Sequence, residues 1–408
     1  MKDRNSKRIM SILYIITMIL AFTTRYGDYR VGFYLQIFVG AFWTLIAFMQ
    51  LWINKFKFKG IYASDFIWLL KVYLVPHFVI HLYTLFLMMI GKVDWNYFTT
   101  NATVYIPTLL AIFSLYLFGV DAYKYNCISL LCSWCLSVIA STVLKGFAIF
   151  PHAVLQAYIN PYDMTGGLTI NYLELHDLVL AIGYILIFFI FTNAKLTRRN
   201  FFCLVMVFLV MGLGMKRVTI LGLILVIIFN MVLKRFTENR KYKFCLVSGW
   251  MAFIICYLYI YILSKGDLFF EFIENFGINV MGRNYYFQAI MKYAEFTPSF
   301  LGIGRNVVTQ LLNNELSYLK VGGVHSDIIK MYVENGFILF GIWLWYYLIH
   351  MTKAYKKKYG ITEAILYFGL IIYTFTLYLT DNVEIYYICQ IFSILIPATY
   401  ALKQKKQI

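Results

Sequence analysis

Only six histidines occur in the 408 residues, and one of them, His325, stands where proton chemistry could be done. It lies in GVHSDIIKMYVENGF (323–337), beside Ser326 and Asp327, where a polar segment meets a long apolar run. A neutral imidazole there could accept a proton as a general base near neutral pH. Interfacial hydrogen bonding would use the same ring. Four cationic side chains could hold an anion. Lys216 and Arg217 interrupt a 33-residue apolar stretch, 201–233. Arg283 opens GRNYYFQAIMKY (282–293), in which Tyr286, Ala289, Ile290 and Tyr293 fall on one helical face. That puts the arginine in a first turn, where backbone N–H groups also favour an anion. Arg305 follows the turn Gly302-Ile303-Gly304 and precedes a second amphipathic stretch, Asn306 to Leu319. An ordinary surface role is the alternative for Arg283 and for Arg305.

Glu174, His176 and Asp177 crowd the start of another apolar run, in NYLELHDLVLAIG (171–183). Sugar hydroxyls, the Lys216-Arg217 turn or a structural ion pair would each partner them. His77 and His81 have metal-chelating spacing. Their run supplies no cysteine or carboxylate as a third ligand, so buried hydrogen bonding is expected and no metal is implied. Cys132 and Cys135 have redox-motif spacing inside an apolar run, but thiol chemistry needs an accessible thiolate, so packing is expected. All seven cysteines fall in or at the ends of apolar runs, which implies no disulfide framework.

The elements that must position these groups follow from composition. The chain is 62% hydrophobic, 20% aromatic and only 13% charged. Soluble domains carry about a quarter charged residues. Too little polar surface remains to cover a soluble globule, which excludes a soluble enzyme, a nucleic-acid-binding domain and a disordered chain. An all-α polytopic membrane protein is left. Apolar runs of spanning length cover 9–24, 31–53, 66–90, 102–119, 126–149, 171–192, 243–263, 328–349, 362–380 and 383–401. Lys71 and Lys330 lie inside such runs. The first run has a poor cleavage site after it, Phe22-Thr23-Thr24-Arg25, and reads as an uncleaved span rather than a signal peptide.

The stretch 201–233 is one long helix or two short ones, and the basic residues decide. Splitting it gives 12 spans with both termini cytoplasmic, and places 23 of the 36 lysines and arginines on the cytoplasmic side. Leaving it whole would turn the basic clusters at 234–243 and 353–358 outward, against the positive-inside bias. The net charge of +17 is then mostly an orientation signal. Residues 201–215 reach only about 22 Å at 1.5 Å per residue, short of a hydrocarbon core of about 30 Å. The Lys216-Arg217 turn therefore lies below the outer surface. It forms either a cationic pocket open to that side or a snorkelling turn on phospholipid phosphate. On this topology one membrane domain, 1–408, carries a single large outer loop, 264–327. Loops of that length in compact proteins are usually functional. It holds one more acidic than basic residue, so any anion it binds must meet individually placed arginines.

The large loop before the tenth span, Gly302-Ile303-Gly304, and a His-x-Asp followed by Glu-Asn-Gly in 323–337 resemble the bacterial O-antigen polymerase and O-antigen ligase superfamily (Wzy and WaaL types). GMKRVTILG (214–222) is similar to the short arginine-containing turn of that family, and 171–183 to a segment of capsule-type polymerases. The ligase-type turn commonly reads Ser-Arg-Gly, whereas Met215-Lys216-Arg217-Val218 stands here, which favours a polymerase. The resemblance spans the chain in topology and about a quarter of it in sequence.

It implies a metal-independent, cofactor-free, inverting glycosyltransferase in the bacterial plasma membrane, its active site facing outward. Undecaprenyl-pyrophosphate-linked oligosaccharide would be polymerised into surface polysaccharide by transfer from the lipid diphosphate to a sugar hydroxyl. The implied partners are that lipid-linked sugar and membrane lipid, with a chain-length regulator protein as an open further partner and no nucleic acid. His325 would deprotonate the acceptor. Arg217, Arg283 and Arg305, with Lys216, would hold the diphosphate, since arginine binds phosphate oxygens bidentately. Glu174, His176, Asp177 and Asp327 would bind acceptor or orient other groups. A ligase would share the chemistry and differ in acceptor. A lipid-linked oligosaccharide flippase is the reading from another class, and charge concentrated on one face beside a prominent loop disfavours it. The cell-wall SEDS glycosyltransferases use a carboxylate as key group, for which Asp267 and Asp327 are the counterparts here.

Overall fold

The computed structural model describes residues 2–24, 29–58, 61–95, 104–159, 175–192, 197–214, 216–266, 271, 275, 283–319 and 323–405. Among these residues the regular structure is helical and no strand occurs. Seven helices are long and apolar enough to cross a membrane. Shorter apolar helices accompany them at Tyr105–Phe118, Asp177–Thr192, Asn200–Gly214 and Arg217–Leu233. The chain folds as two compact units, each discontinuous in sequence.

The first unit comprises Met1–Lys71, Thr103–Met231 and Ile385–Ile408. It contains α1 (Lys2–Thr24), α2 (Tyr29–Ile53), the start of α3 (Ala63–Met89), α4 (Tyr105–Phe118), α5 (Asp121–Lys145), α6 (Ile149–Ile159), α7 (His176–Thr192), α8 (Arg198–Gly214), most of α9 (Arg217–Leu233) and α16 (Tyr387–Lys405). Helix α1 packs on α5 and α2, and α16 on α4 and α7. The hydrophobic effect cannot hold helices together in lipid, so close packing and hydrogen bonds must. The α1–α5 contact shows how. Ser129 and Ser133, one turn apart on α5, donate to the carbonyls of Ile15 (3.3 Å) and Ile19 (3.2 Å) on α1. Only a small side chain permits that approach. Between them and the helix start, Asn126 Nδ2 donates to the Tyr14 hydroxyl at 3.0 Å, and the Tyr14 ring packs against Trp43 and Phe118. At the far end of α16, Lys405 reaches the buried carboxylate of Asp65 at 2.9 Å.

The stretch 201–233 is two helices. Helix α8 ends at Gly214 and α9 begins at Arg217. Lys216 is buried at this break and Arg217 is exposed.

The second unit comprises Val72–Ala102 and Val232–Glu384. It holds the rest of α3, then α10 (Glu238–Ser264), α11 (Arg283–Met291), α12 (Val307–Asn313), α13 (Asp327–Trp345), one π-helical turn (Tyr346–His350), α14 (Met351–Lys358) and α15 (Ile361–Tyr378). Helix α11 buries Tyr286, Ala289 and Ile290, three of the four positions that share a face in the sequence. The second amphipathic stretch forms a shorter helix than Asn306 to Leu319: α12 stops at Asn313 and a 3-10 turn takes Ser317–Leu319. Asp327 occupies the first turn of α13, where a carboxylate suits the helix dipole, and the Ser326 hydroxyl accepts from the Ile329 N–H. The π turn is followed by stacked Tyr355 and Tyr367 rings, centroids 4.7 Å apart, and the Tyr355 hydroxyl meets that of Tyr73 at 2.8 Å.

Ser133→Leu replaces the hydroxyl contact on α1 by an overpacked branch, at a cost of about 1–3 kcal/mol. Thermal unfolding in detergent should show a lowered midpoint, and Ser133→Ala a smaller loss. Equal midpoints for wild type and Ser133→Leu would contradict the close α1–α5 approach.

Candidate functional site

The second unit contains a break in α13 that organises the residues around it. The helix is interrupted at Gly336, whose φ of +74° and ψ of 178° lie outside the helical region. Opposite the break runs Phe300–Gly304, with Gly302 at φ +86°. A β-carbon on Gly302 would collide with the backbone of Glu334 to Gly336, and one on Gly336 with that of Phe300 to Gly302. The two glycines therefore permit backbone to lie directly on backbone. Interrupting a helix frees carbonyls and N–H groups that lipid cannot satisfy. Here the loop satisfies them. Ile303 N–H donates to Val333 O at 3.0 Å, Gly304 N–H to Glu334 O at 2.9 Å, and Phe337 N–H to Phe300 O at 2.9 Å. Tyr332 adds a bond from its hydroxyl to Glu295 O at 2.6 Å.

This docking delivers Arg305. Its N–H donates to Thr84 Oγ1 of α3 at 3.0 Å, and its guanidinium Nη2 lies 2.7 Å from Glu384 Oε1. Lys330 Nζ is 3.7 Å from the second oxygen of the same carboxylate. The N–H of Glu384 donates to Asp327 Oδ2 at 2.7 Å. Glu334, one turn beyond Lys330, has both carboxylate oxygens buried. Two cations and three carboxylates (Asp327, Glu334 and Glu384) are thus enclosed in the unit, each residue at most 5% exposed. Desolvating such ions costs several kcal/mol each unless they neutralise one another. The geometry at Glu384 meets that condition.

Beside these residues His325 is partly open, while its neighbour Asp381 is itself buried. His325 has a φ of +50°, uncommon for any residue but glycine. Strained backbone of this kind persists where its surroundings over-determine it, and it clusters at functional sites. The imidazole is one-third exposed, with Nδ1 3.9 Å from Asp381 Oδ1. Asp381 is itself pinned: its Oδ1 accepts the Asn382 N–H at 2.9 Å, and its backbone carbonyl accepts the Asp327 N–H at 3.3 Å. Arg283 Nη1 donates to Thr380 O at 2.8 Å. The Tyr286 ring lies 6.3 Å from the His325 ring, and burial pushes its phenol up to about 12, against the pull of neighbouring Arg283. Tyr286 is therefore a neutral hydrogen-bonding group rather than a base.

One short segment, Thr380 to Glu384, thus receives Arg283, His325, Asp327 and Arg305. The sequence reading missed Asp381 and Glu384. The available signal was Asp381 in the two-residue connection between the apolar runs 362–380 and 383–401, and Glu384 at the start of the second run. Arg305, expected to hold a diphosphate, is buried and ion-paired with Glu384. Asp327, expected to bind acceptor or orient other groups, is fully buried and accepts the Glu384 N–H, which leaves it the orienting role. Lys216, Arg217, His176 and Asp177 belong to the other unit: Arg217 is exposed, Lys216 buried, His176 opens α7, and Asp177 is buried in its first turn. Glu174 and Asp267 lie outside the described residues. In α3, His81 Nδ1 lies 2.7 Å from the His77 carbonyl, so one ring nitrogen is spent on the helix backbone. Cys132 and Cys135 are free thiols on α5.

Removing one partner of a buried pair leaves an uncompensated charge and costs about 3–5 kcal/mol. Arg305→Met and Glu384→Leu should each lower the unfolding midpoint strongly. The double variant should lie above the sum of the two losses. Additive losses would show that the pair is not coupled.

No protein-family model matches the chain, no curated protein matches it, and no solved structure does.

Proposed function

We propose that this chain is a membrane-embedded glycosyltransferase of the O-antigen polymerase and ligase type, which links lipid-diphosphate-borne oligosaccharide units into a surface polysaccharide. In this reading it spans the plasma membrane 12 times, with both termini cytoplasmic and the 264–327 segment outside. The observation that carries the proposal is the His325–Asp381–Arg283 group. A base candidate, a carboxylate behind it and an arginine anchored on the adjacent carbonyl stand on an ion-paired interior.

Asp381 Oδ1 stands 3.9 Å from Nδ1, and closing that gap to a hydrogen bond would hold Nδ1 protonated and turn Nε2 to the acceptor. Nε2 takes the proton of the acceptor hydroxyl as its oxygen attacks the anomeric carbon of the donor. The bond from that carbon to the diphosphate oxygen breaks, and the lipid diphosphate leaves with the electron pair. A single displacement inverts the anomeric centre. Arg283 neutralises the developing diphosphate charge, which is a major catalytic lever. Arg305, Lys330 and Glu384 hold the Thr380–Glu384 segment in place and touch no substrate.

A general base contributes about 10²–10⁴ in rate. Cells carrying His325→Ala should make little polymer or only short chains, with the protein present at normal level. Arg283→Ala should act in the same direction. Normal chain length in both would remove the mechanism. Asp381→Asn should lower turnover while leaving the protein folded.

A second reading draws on the interrupted helix α13. Transporters often place substrate sites at such breaks, so a lipid-linked oligosaccharide flippase is the competitor. Purified protein incubated with lipid-linked repeat units separates the two, because linked units require a transferase. A ligase would join finished polymer to a different acceptor.

A further inference from the structure

The ion-paired interior of the second unit is one positive charge short. Arg305 and Lys330 stand against three carboxylates, and all five residues are buried. Two of the carboxylates are supported as anions. Glu384 faces both cations. Asp327 accepts the Glu384 N–H in the first turn of α13, where the helix dipole favours negative charge. These four groups neutralise one another. Glu334 is the fifth, and it has no such support. It lies inside α13, one turn beyond Lys330, and its backbone carbonyl is spent on the Gly304 N–H. Neither carboxylate oxygen has a hydrogen-bond partner among the described residues, and the Asn306 N–H lies beside the carboxyl outside hydrogen-bonding geometry. An enclosed carboxylate with neither a cation in contact nor a donor neutralises itself by taking up a proton.

The other groups around this interior do not supply the missing charge. His77 and His81 of α3 and Tyr347 of the π turn lie near Arg305 and Glu384. A proton on either imidazole would set a third cation against Arg305 and leave the Glu334 oxygens as they are. A proton on Glu334 removes the unsupported anion itself. The Tyr347 phenol is neutral. Asp381 faces His325, and Arg283 is held at the Thr380 carbonyl. A metal ion does not fit the same place, because no group of three His, Cys, Asp or Glu among the described residues is arranged to hold one.

We propose that Glu334 is a proton-binding site, which holds at neutral pH the one proton that balances the buried interior of the second unit. The site is also a switch. When the proton leaves, Glu334 becomes an anion one helical turn from Lys330, a spacing at which two side chains meet. It then competes with Glu384 for Lys330. That ammonium stands 3.7 Å from Glu384 Oε2, a looser contact than the 2.7 Å of Arg305. Its departure loosens the segment Thr380–Glu384, which carries Asp381 beside His325. Whatever reaction His325 serves, the placement of Asp381 thus answers to the proton on Glu334.

Infrared spectroscopy of the full-length protein, in a detergent without carbonyl groups, tests this, because a protonated carboxyl and a carboxylate absorb at separate frequencies. At neutral pH the wild type should show a protonated-carboxyl band. Labelling glutamate side-chain carboxyls with heavy carbon should shift that band, an arm that needs no substitution. Glu334→Gln, the neutral isostere, should remove the band without lowering the thermal unfolding midpoint. Glu238→Gln, at an exposed ion pair on α10, should leave the band unchanged. The pH dependence supplies a second readout. An unfolded glutamate ionises above about pH 4.3, so over that range unfolding of the wild type releases the proton and its stability falls as pH rises. Glu334→Gln lacks that slope. The two midpoints should therefore agree at low pH and separate as pH rises, with the variant the higher. Four results would each overturn the proposal: no such band in the wild type, a band that ignores the glutamate label or survives Glu334→Gln, a midpoint lowered by Glu334→Gln at neutral pH, or midpoints that stay parallel across pH.

Discussion

Glu384 is the hub on which the second unit depends. Its carboxylate holds Arg305 on one oxygen and approaches Lys330 with the other, while its backbone N–H is held by Asp327. None of these groups could be buried alone. Together they fasten three separate parts of the chain: the loop after Gly304, the start of α13 and the turn after α15. The ion pair supplies specificity of placement more than stability, since a well-packed apolar substitute can be as stable as a buried pair. Its consequence is that Thr380 and Asp381, just before Glu384, are fixed relative to the loop residue Arg283 and to His325.

The docking of Phe300–Gly304 on the break in α13 works with that hub. A helix interrupted in lipid needs an outside partner for its freed backbone groups. The loop supplies it, and Arg305 is the next residue. Gly302 and Gly336 are required because each occupies the space where the other's β-carbon would stand. Gly302-Ile303-Gly304 and Glu334-Asn335-Gly336, far apart in the sequence, thus form one physical contact.

The first unit is held by a different device, small polar side chains that let helices close to hydrogen-bonding distance. Ser129, Ser133 and Asn126 lie along α5 at intervals of three and four residues, a spacing that puts them on one face toward α1. Hydroxyls bonded to carbonyls leave no polar group exposed to lipid, which allows such residues deep in an apolar helix.

Much of this was legible in the sequence because lipid imposes simple rules. Low charge and long apolar runs determine an all-helical membrane chain. The pair Lys216-Arg217 marks where α8 and α9 separate, since neither cation suits the middle of a continuous apolar helix. The face of α11 follows from helical period, and His325 is conspicuous at a polar–apolar junction. What each charge is for was not legible. Arg305 and Glu384 are 79 residues apart, and nothing local distinguishes an arginine that waits for phosphate from one that neutralises a buried carboxylate. Nothing local marks Asp381 as the neighbour of His325 either. Sequence reports the cost of a charge in lipid, because that cost depends on the residue alone. Only the tertiary structure reports which partner offsets it, because that depends on where distant parts of the chain meet.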